Sequence, residues 1–115
     1  MRIVDSQNKA SLAELKKMAA AMFGDLVKAV VDVRLEIMAV DAELHADEEA
    51  LLMESGSVQS DLWGINLYPE LEGVDFVEYD SMINLRPARG NRSRGVEDPE
   101  VRERIRKIIA SLVIQ

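Results

Sequence analysis

The sequence predicts an α+β fold: a mostly antiparallel sheet of about four strands, with an N-terminal and a C-terminal helix packed on one face. Three observations lead there. Apolar residues recur at helical spacing near both ends of the chain. They alternate with polar residues through much of the middle. The resulting order of helix, strands, an ambiguous segment, strands and helix is that of helices layered on an antiparallel sheet. At 115 residues the chain suits one globular domain, residues 1–115, able to bury a core unaided.

The first helix is predicted over about 12–23. Ser11 and Glu14 have the capping-box spacing, Leu12, Leu15, Met18, Ala19 and Met22 follow at helical intervals, and Gly24 supplies a stop. "LVKAVVDV" (Leu26–Val33) is rich in β-branched residues, and Val27, Ala29, Val31 and Val33 alternate with Lys28 and Asp32. "EIMAV" (Glu36–Val40) returns as its hairpin partner, with the turn near Arg34. "HADEEALLMESG" (His45–Gly56) reads two ways. As a helix it has acids in its first turn, Leu51, Leu52 and Met53 to bury and Gly56 as a cap. As a strand, "ALLMES" would turn at Gly56-Ser57. The helix is favoured. "LWGINLY" (Leu62–Tyr68) and "FVEYDSMINLR" (Phe76–Arg86) then form an antiparallel hairpin across the loop "PELEGVD". In the second of these, Val77, Tyr79, Ser81, Ile83 and Leu85 share one face, and Phe76, Glu78, Asp80, Met82, Asn84 and Arg86 the other. Trp63 and Ile65 are expected in the core with Tyr79 and Ile83. The last helix starts at Asp98, with Pro99 at its first position and an apolar stripe of Val101, Ile105, Ile108, Ile109, Leu112 and Val113.

The absence of cysteine excludes disulfides, thiolate metal sites and cysteine nucleophiles, and fits a reducing compartment, by default the cytoplasm. No run of about 18 apolar residues is present, so no membrane span is expected, and the N-terminus lacks a signal-peptide core. Formal charge is -7, unevenly spread. Glu36–Asp80 holds 13 acids and no lysine or arginine, whereas Arg86–Lys107 holds 8 bases against 4 acids. A negative overall field disfavours long nucleic acid, and RNA binding would have to rest on a local patch.

That patch is "RPARGNRSRG". Arg86, Arg89, Arg92 and Arg94, with Asn91 and Ser93, lie in a loop between the last strand and the last helix, where guanidinium groups could clamp phosphate or carboxylate oxygens. The competing reading pairs these arginines with the chain's own acids. Glu97, Asp98 and Glu100 already occupy the helix N-terminus, which makes that end a poor phosphate seat. A second constellation is His45, the only histidine, beside Asp47, Glu48 and Glu49. His45 with Asp47 or Glu49 could bind a divalent metal or move a proton, while acids at a helix start also serve as plain capping groups. A third is the polar sheet face, with Asn66 across from Glu78 and with Asp80, Asn84 and Arg86 in the same row; such a row is often only a solvent face, while the interleaved Phe76 and Met82 also allow a partner or ligand to be buried there. Five aromatic residues are few for a base-stacking surface.

The stretches "DLWGINLYP" and "RPARGNRSRG", with "MFGDLVKAVVDV", "ELHADEEALL" and "GVEDPEVR", resemble a small family of prokaryotic proteins of about this length known only as a domain of unknown function. The resemblance runs from about Leu12 to Leu112 and implies a stand-alone domain from a bacterium or archaeon. It transfers no activity. The expectation is therefore a binding module for a small phosphate-bearing ligand or an acidic protein segment through the arginine loop, with no cofactor. The alternatives are an acid/base or metal-dependent enzyme built on His45, and an interaction protein in which basic end meets acidic middle in a homodimer.

Overall fold

The computed structural model describes residues 1–115. In chain order the elements are β1 (Arg2–Val4), β2 (Ala10–Ser11), α1 (Leu12–Ala21), β3 (Val27–Asp32), β4 (Ile37–Val40), α2 (His45–Glu54), β5 (Leu62–Leu67), β6 (Val77–Glu78), α3 (Pro99–Leu112) and β7 (Val113–Ile114). The predicted α+β class holds. β1, β4, β3, β5 and β6 lie side by side in one antiparallel sheet, and β2 pairs separately and in parallel with β7. No helix is long and apolar enough to cross a membrane.

The local reasons for these elements are chemical. Ser11 accepts from the Glu14 backbone N–H, and the Glu14 carboxylate accepts from that of Ser11, closing the capping box on α1. Asp98 caps α3 through the Glu100 N–H, with Pro99 where a missing N–H costs nothing. The β3–β4 turn is held from inside: buried Asp32 accepts from the N–H groups of Arg34 and Leu35 and from the Ser57 hydroxyl at 2.6 Å. The ambiguous segment is a helix, because His45, Glu48 and Leu52 recur on one side and only a helix brings all three to the sheet.

The sheet has two unlike faces. Val27, Ala29 and Val31 of β3, Met38 and Val40 of β4 and Ile65 and Leu67 of β5 point one way and meet Leu15 and Ala19 of α1 and Ile105, Ile108, Ile109 and Leu112 of α3. This is the main core, and Trp63 and Tyr79 pack at its edge. The other face buries a smaller apolar group, Val30, Ala39 and Leu62 under Leu52 of α2, with Ile83 at its margin. Tyr79 and Ile83 therefore lie on opposite sides of the sheet.

Two expectations need correcting. The first is the long strand over Phe76–Arg86, which is a strand only at Val77–Glu78. Beyond it the chain turns: the Ser81 hydroxyl accepts from the Ile83 N–H, and Met82–Asn84 forms a single 3-10 turn. Asn84 takes over the pairing a strand would have made. Its Oδ1 accepts from the Gly64 N–H (2.8 Å) and its Nδ2 donates to the Gly64 carbonyl (2.9 Å). Gly64 permits this approach, since a Cβ there would stand 2.5 Å from that of Ser81. The second is the N-terminus, which carries an edge strand, β1, with no predicted counterpart; two apolar residues between polar neighbours are too short a pattern to read.

Candidate functional site

The loop after Asn84 is folded by its own amides. Arg86 and Asn91 form an isolated antiparallel bridge around a 3-10 turn at Pro87–Arg89, which Gly90 ends at φ 85°, a conformation that favours glycine. The Asn91 side chain is buried. Its Nδ2 donates to the Asn84 carbonyl (2.7 Å) and the Gly95 carbonyl (2.8 Å), and its Oδ1 accepts from the Glu97 N–H (2.9 Å). Glu97 accepts from the N–H groups of Arg92 and Ser93, which hold its carboxyl below the usual carboxylate range. Asn91 is thus occupied with backbone.

The four arginines divide. Arg94 donates through Nε to Asp80 at 2.6 Å on the surface. Arg86 turns inward. Its Nη2 donates to the Leu62 carbonyl (2.7 Å), its guanidinium lies 4.9 Å from the centre of the Trp63 ring, and Glu49 of α2 stands 3.8 Å away, both charged side chains being largely covered, at 13% and 14% exposure. Arg89 and Arg92 are exposed and make no ion pair. The loop therefore places two arginines against the protein's own acids and leaves two free.

Arg86 and Arg89 share a groove of about 430 Å³ with Glu49, Gln59, Ser60, Met82 and Leu85, between α2 and the turns on either side of β5. Its charges are two guanidinium groups and one carboxylate; its apolar wall is supplied by Met82 and Leu85, both exposed. Arg86 Nη1 and Glu49 Oε2 are shielded from solvent and have no hydrogen-bond partner. Burial lowers the Arg86 pKa from its ordinary value, and Glu49 opposes that effect. Chemically the groove offers hydrogen-bond donors on fixed and movable cations, two neutral polar side chains and a greasy lip, a set suited to holding an anionic group on a small organic body.

The other predicted residues are placed as follows. Asn66 faces Glu78 across β5 and β6, its Nδ2 donating to Glu78 Oε1 at 2.8 Å, where Tyr68 Oη also donates at 3.0 Å. This contact fixes the amide's orientation and leaves Asn66 Oδ1 buried without a partner. Asp80 belongs to Arg94 and Asn84 to Gly64, so the expected polar row ends at Glu78. His45 opens α2, and its Nε2 is 2.7 Å from the Ile65 carbonyl. A carbonyl only accepts, so Nε2 carries the proton and Nδ1 the lone pair. Burial lowers the His45 pKa and keeps the ring neutral. Asp47 is exposed, Glu49 turns to Arg86, and no group of three histidine or acidic side chains is gathered where it could hold a metal. His45 is not among the residues lining the arginine groove.

Sequence reasoning missed two features. Glu48 is completely buried, its Oε2 accepting from the Ala42 N–H while Oε1 has no partner, and burial pushes its pKa up to about 9. The signal was present in the spacing of His45, Glu48 and Leu52 once α2 is taken as a helix. Gln59 and Ser60 had no signal, because their place beside Arg86 depends on the turn at Gln59–Asp61.

A family model described as a protein of unknown function, DUF5674, matches residues 3–112. The chain belongs to that family, in keeping with the resemblance read from its motifs. No curated protein and no solved structure gives a match.

Proposed function

We propose that this member of DUF5674 is a binding module for a small molecule that carries a phosphate or carboxylate group, held in the groove between α2 and the turn at Met82–Asn84. One observation carries the reading. Arg86 is fixed by the Leu62 carbonyl and the Trp63 ring, keeps a shielded, unpartnered Nη1, and lines the groove that also holds unpaired Arg89. An unmet donor on a buried cation costs free energy of order 1–3 kcal/mol, and an anionic group would meet it. Of the residues the loop sequence put forward, Arg86 and Arg89 are the contacts; Asn91 and Arg94 shape the loop that carries them, and Arg92 and Ser93 lie outside the groove lining. Met82 and Leu85 receive the organic part of the ligand. A reducing, cytoplasmic setting accords with the lack of cysteine.

The test is a thermal-shift screen of wild type and Arg89→Ala against phosphosugars, nucleotides and small dicarboxylates. A ligand at about 100 times its dissociation constant adds ~2.7 kcal/mol, a shift of several degrees in a domain of this size. The expected result is a shift with a phosphate- or carboxylate-bearing compound that Arg89→Ala abolishes. A shift that survives the substitution, or none with any anion, overturns the reading.

A further inference from the structure

Resting on that reading, we infer that Glu49 is an internal stand-in for the ligand: a phosphomonoester or carboxylate entering the groove takes Arg86 away from Glu49 and thereby loosens α2 from the sheet. Arg86 is anchored to Leu62 and Trp63, neither of them on α2, so the cation stays in place if Glu49 departs. Glu49 holds it imperfectly. At 3.8 Å the two are within ion-pair range but beyond hydrogen-bond range, whereas a well-made guanidinium–carboxylate pair closes to about 2.7–2.9 Å with two parallel bonds. Glu49 Oε2 and Arg86 Nη1 both remain without a hydrogen bond. The position of a counter-ion is therefore filled while its hydrogen bonds are left unmade. An anion free to orient itself makes them, with Arg89, Gln59 and Ser60 as further donors around the same groove.

The helix that carries Glu49 is held largely by polar contacts: His45 Nε2 donates to the Ile65 carbonyl at 2.7 Å and Glu48 Oε2 accepts from the Ala42 N–H, with Leu52 the one fully buried apolar anchor. Its N-cap, Leu44, has no side-chain cap bond, and the side chains it buries are His45, Glu48 and Leu52, two of them polar. Glu48 keeps an oxygen without a partner. The ion pair with Arg86 is the contact that links the second turn of α2 to the arginine loop, and it adds to the hold of His45, Glu48 and Leu52. A ligand that binds only when this pair is open shifts the population toward the loosened helix by its differential affinity for that state.

The experiment titrates wild type, Glu49→Gln, Glu49→Asp and Arg89→Ala with glycerol 3-phosphate and with succinate. Binding is read from the emission of Trp63, the chain's only tryptophan, and α2 mobility from amide hydrogen exchange over Leu51–Glu54. Glu49→Gln is expected to bind about fivefold more tightly than wild type, because no carboxylate must be displaced. Glu49→Asp, whose shorter arm lengthens the pair, falls between them, and serves alone if Glu49→Gln fails to fold. Saturating ligand should speed exchange across Leu51–Glu54 in wild type, and Glu49→Gln should exchange fast before any ligand is added. The stronger of the two ligands assigns the anion class. Binding by Glu49→Gln alone overturns the inference, because no ligand then displaces the native pair. Equal or weaker binding by both Glu49 variants overturns the inference. If binding then still depends on Arg89, the anion-binding reading survives it; if no protein binds either anion, both fall.

Discussion

The two faces of the sheet are built on different principles. Toward α1 and α3 lie eighteen buried apolar side chains. Toward α2 lie four, accompanied by buried Asp32, His45, Glu48, Asn66 and Asn84. Some of these polar groups are fully engaged, Asp32 by three donors and Asn84 by both atoms of the Gly64 backbone. Others are not: the buried side-chain atoms without a partner belong to Glu48, Glu49, Asn66 and Arg86, all on the α2 side. The first face stores stability in area removed from water. The second face gives up some of that stability, because several of its buried polar atoms are left unmatched.

The contrast breaks most visibly under truncation. Ile105→Ala, in the main core, is expected to lower unfolding free energy by about 4 kcal/mol in chemical denaturation, and Leu52→Ala, under α2, by about 2, because a lightly anchored helix can settle into the space. Equal losses would mean that the two faces are packed alike. Asn84→Ala should cost about 3 kcal/mol, since it strands the Gly64 N–H and carbonyl with no water to replace the amide.

Substitution of Glu48 sharpens the comparison in the opposite direction. Its folded pKa of about 9 lies above the ordinary 4.5, so the native state keeps a proton that the unfolded chain has lost. The stability present below pH 4.5 is given up at about 1.4 kcal/mol per pH unit as pH rises toward 9. Glu48→Gln removes that slope, and near pH 7 the variant should exceed wild type by about 3 kcal/mol. His45 works the other way: its lowered pKa means that stability falls as pH drops below the imidazole range. Denaturation midpoints between pH 5 and 9 measure both slopes. The smallest effect on folding belongs to Arg89→Ala, within about 0.5 kcal/mol, since the side chain is exposed and unpaired. Under the proposed function its consequence is confined to anion binding.

The same contrast explains what the sequence disclosed. Elements of the apolar face were legible because periodicity and caps agreed: Ser11 with Glu14, Asp98 with Pro99, and the alternation from Val27 to Val33. On the polar face, pattern and pairing parted company. The alternation in "VEYDSMINL" looked like a strand, yet Asn84 satisfies Gly64 with a side chain, a substitution that period-two counting cannot detect. Within the site, the arginine cluster was visible as charge, but its division was not. Arg86 faces inward because Leu62 and Trp63 receive it, and those residues stand more than twenty positions earlier in the chain. Asn91 looked like a ligand contact and is a loop brace. Glu48 was read as one acid among several because burial belongs to the packed helix and not to its neighbours in sequence.

The short parallel pair β2–β7 has a kinetic consequence. Ala10 meets Val113 and Ser11 meets Ile114, so residues nearly a whole chain apart must find each other. Such a closure loses chain entropy early and returns it late, and contacts of this separation slow folding. Because β2 runs directly into α1 and β7 directly out of α3, the pair can zip only after both helices have docked on the sheet. It will be among the last structures to form on refolding.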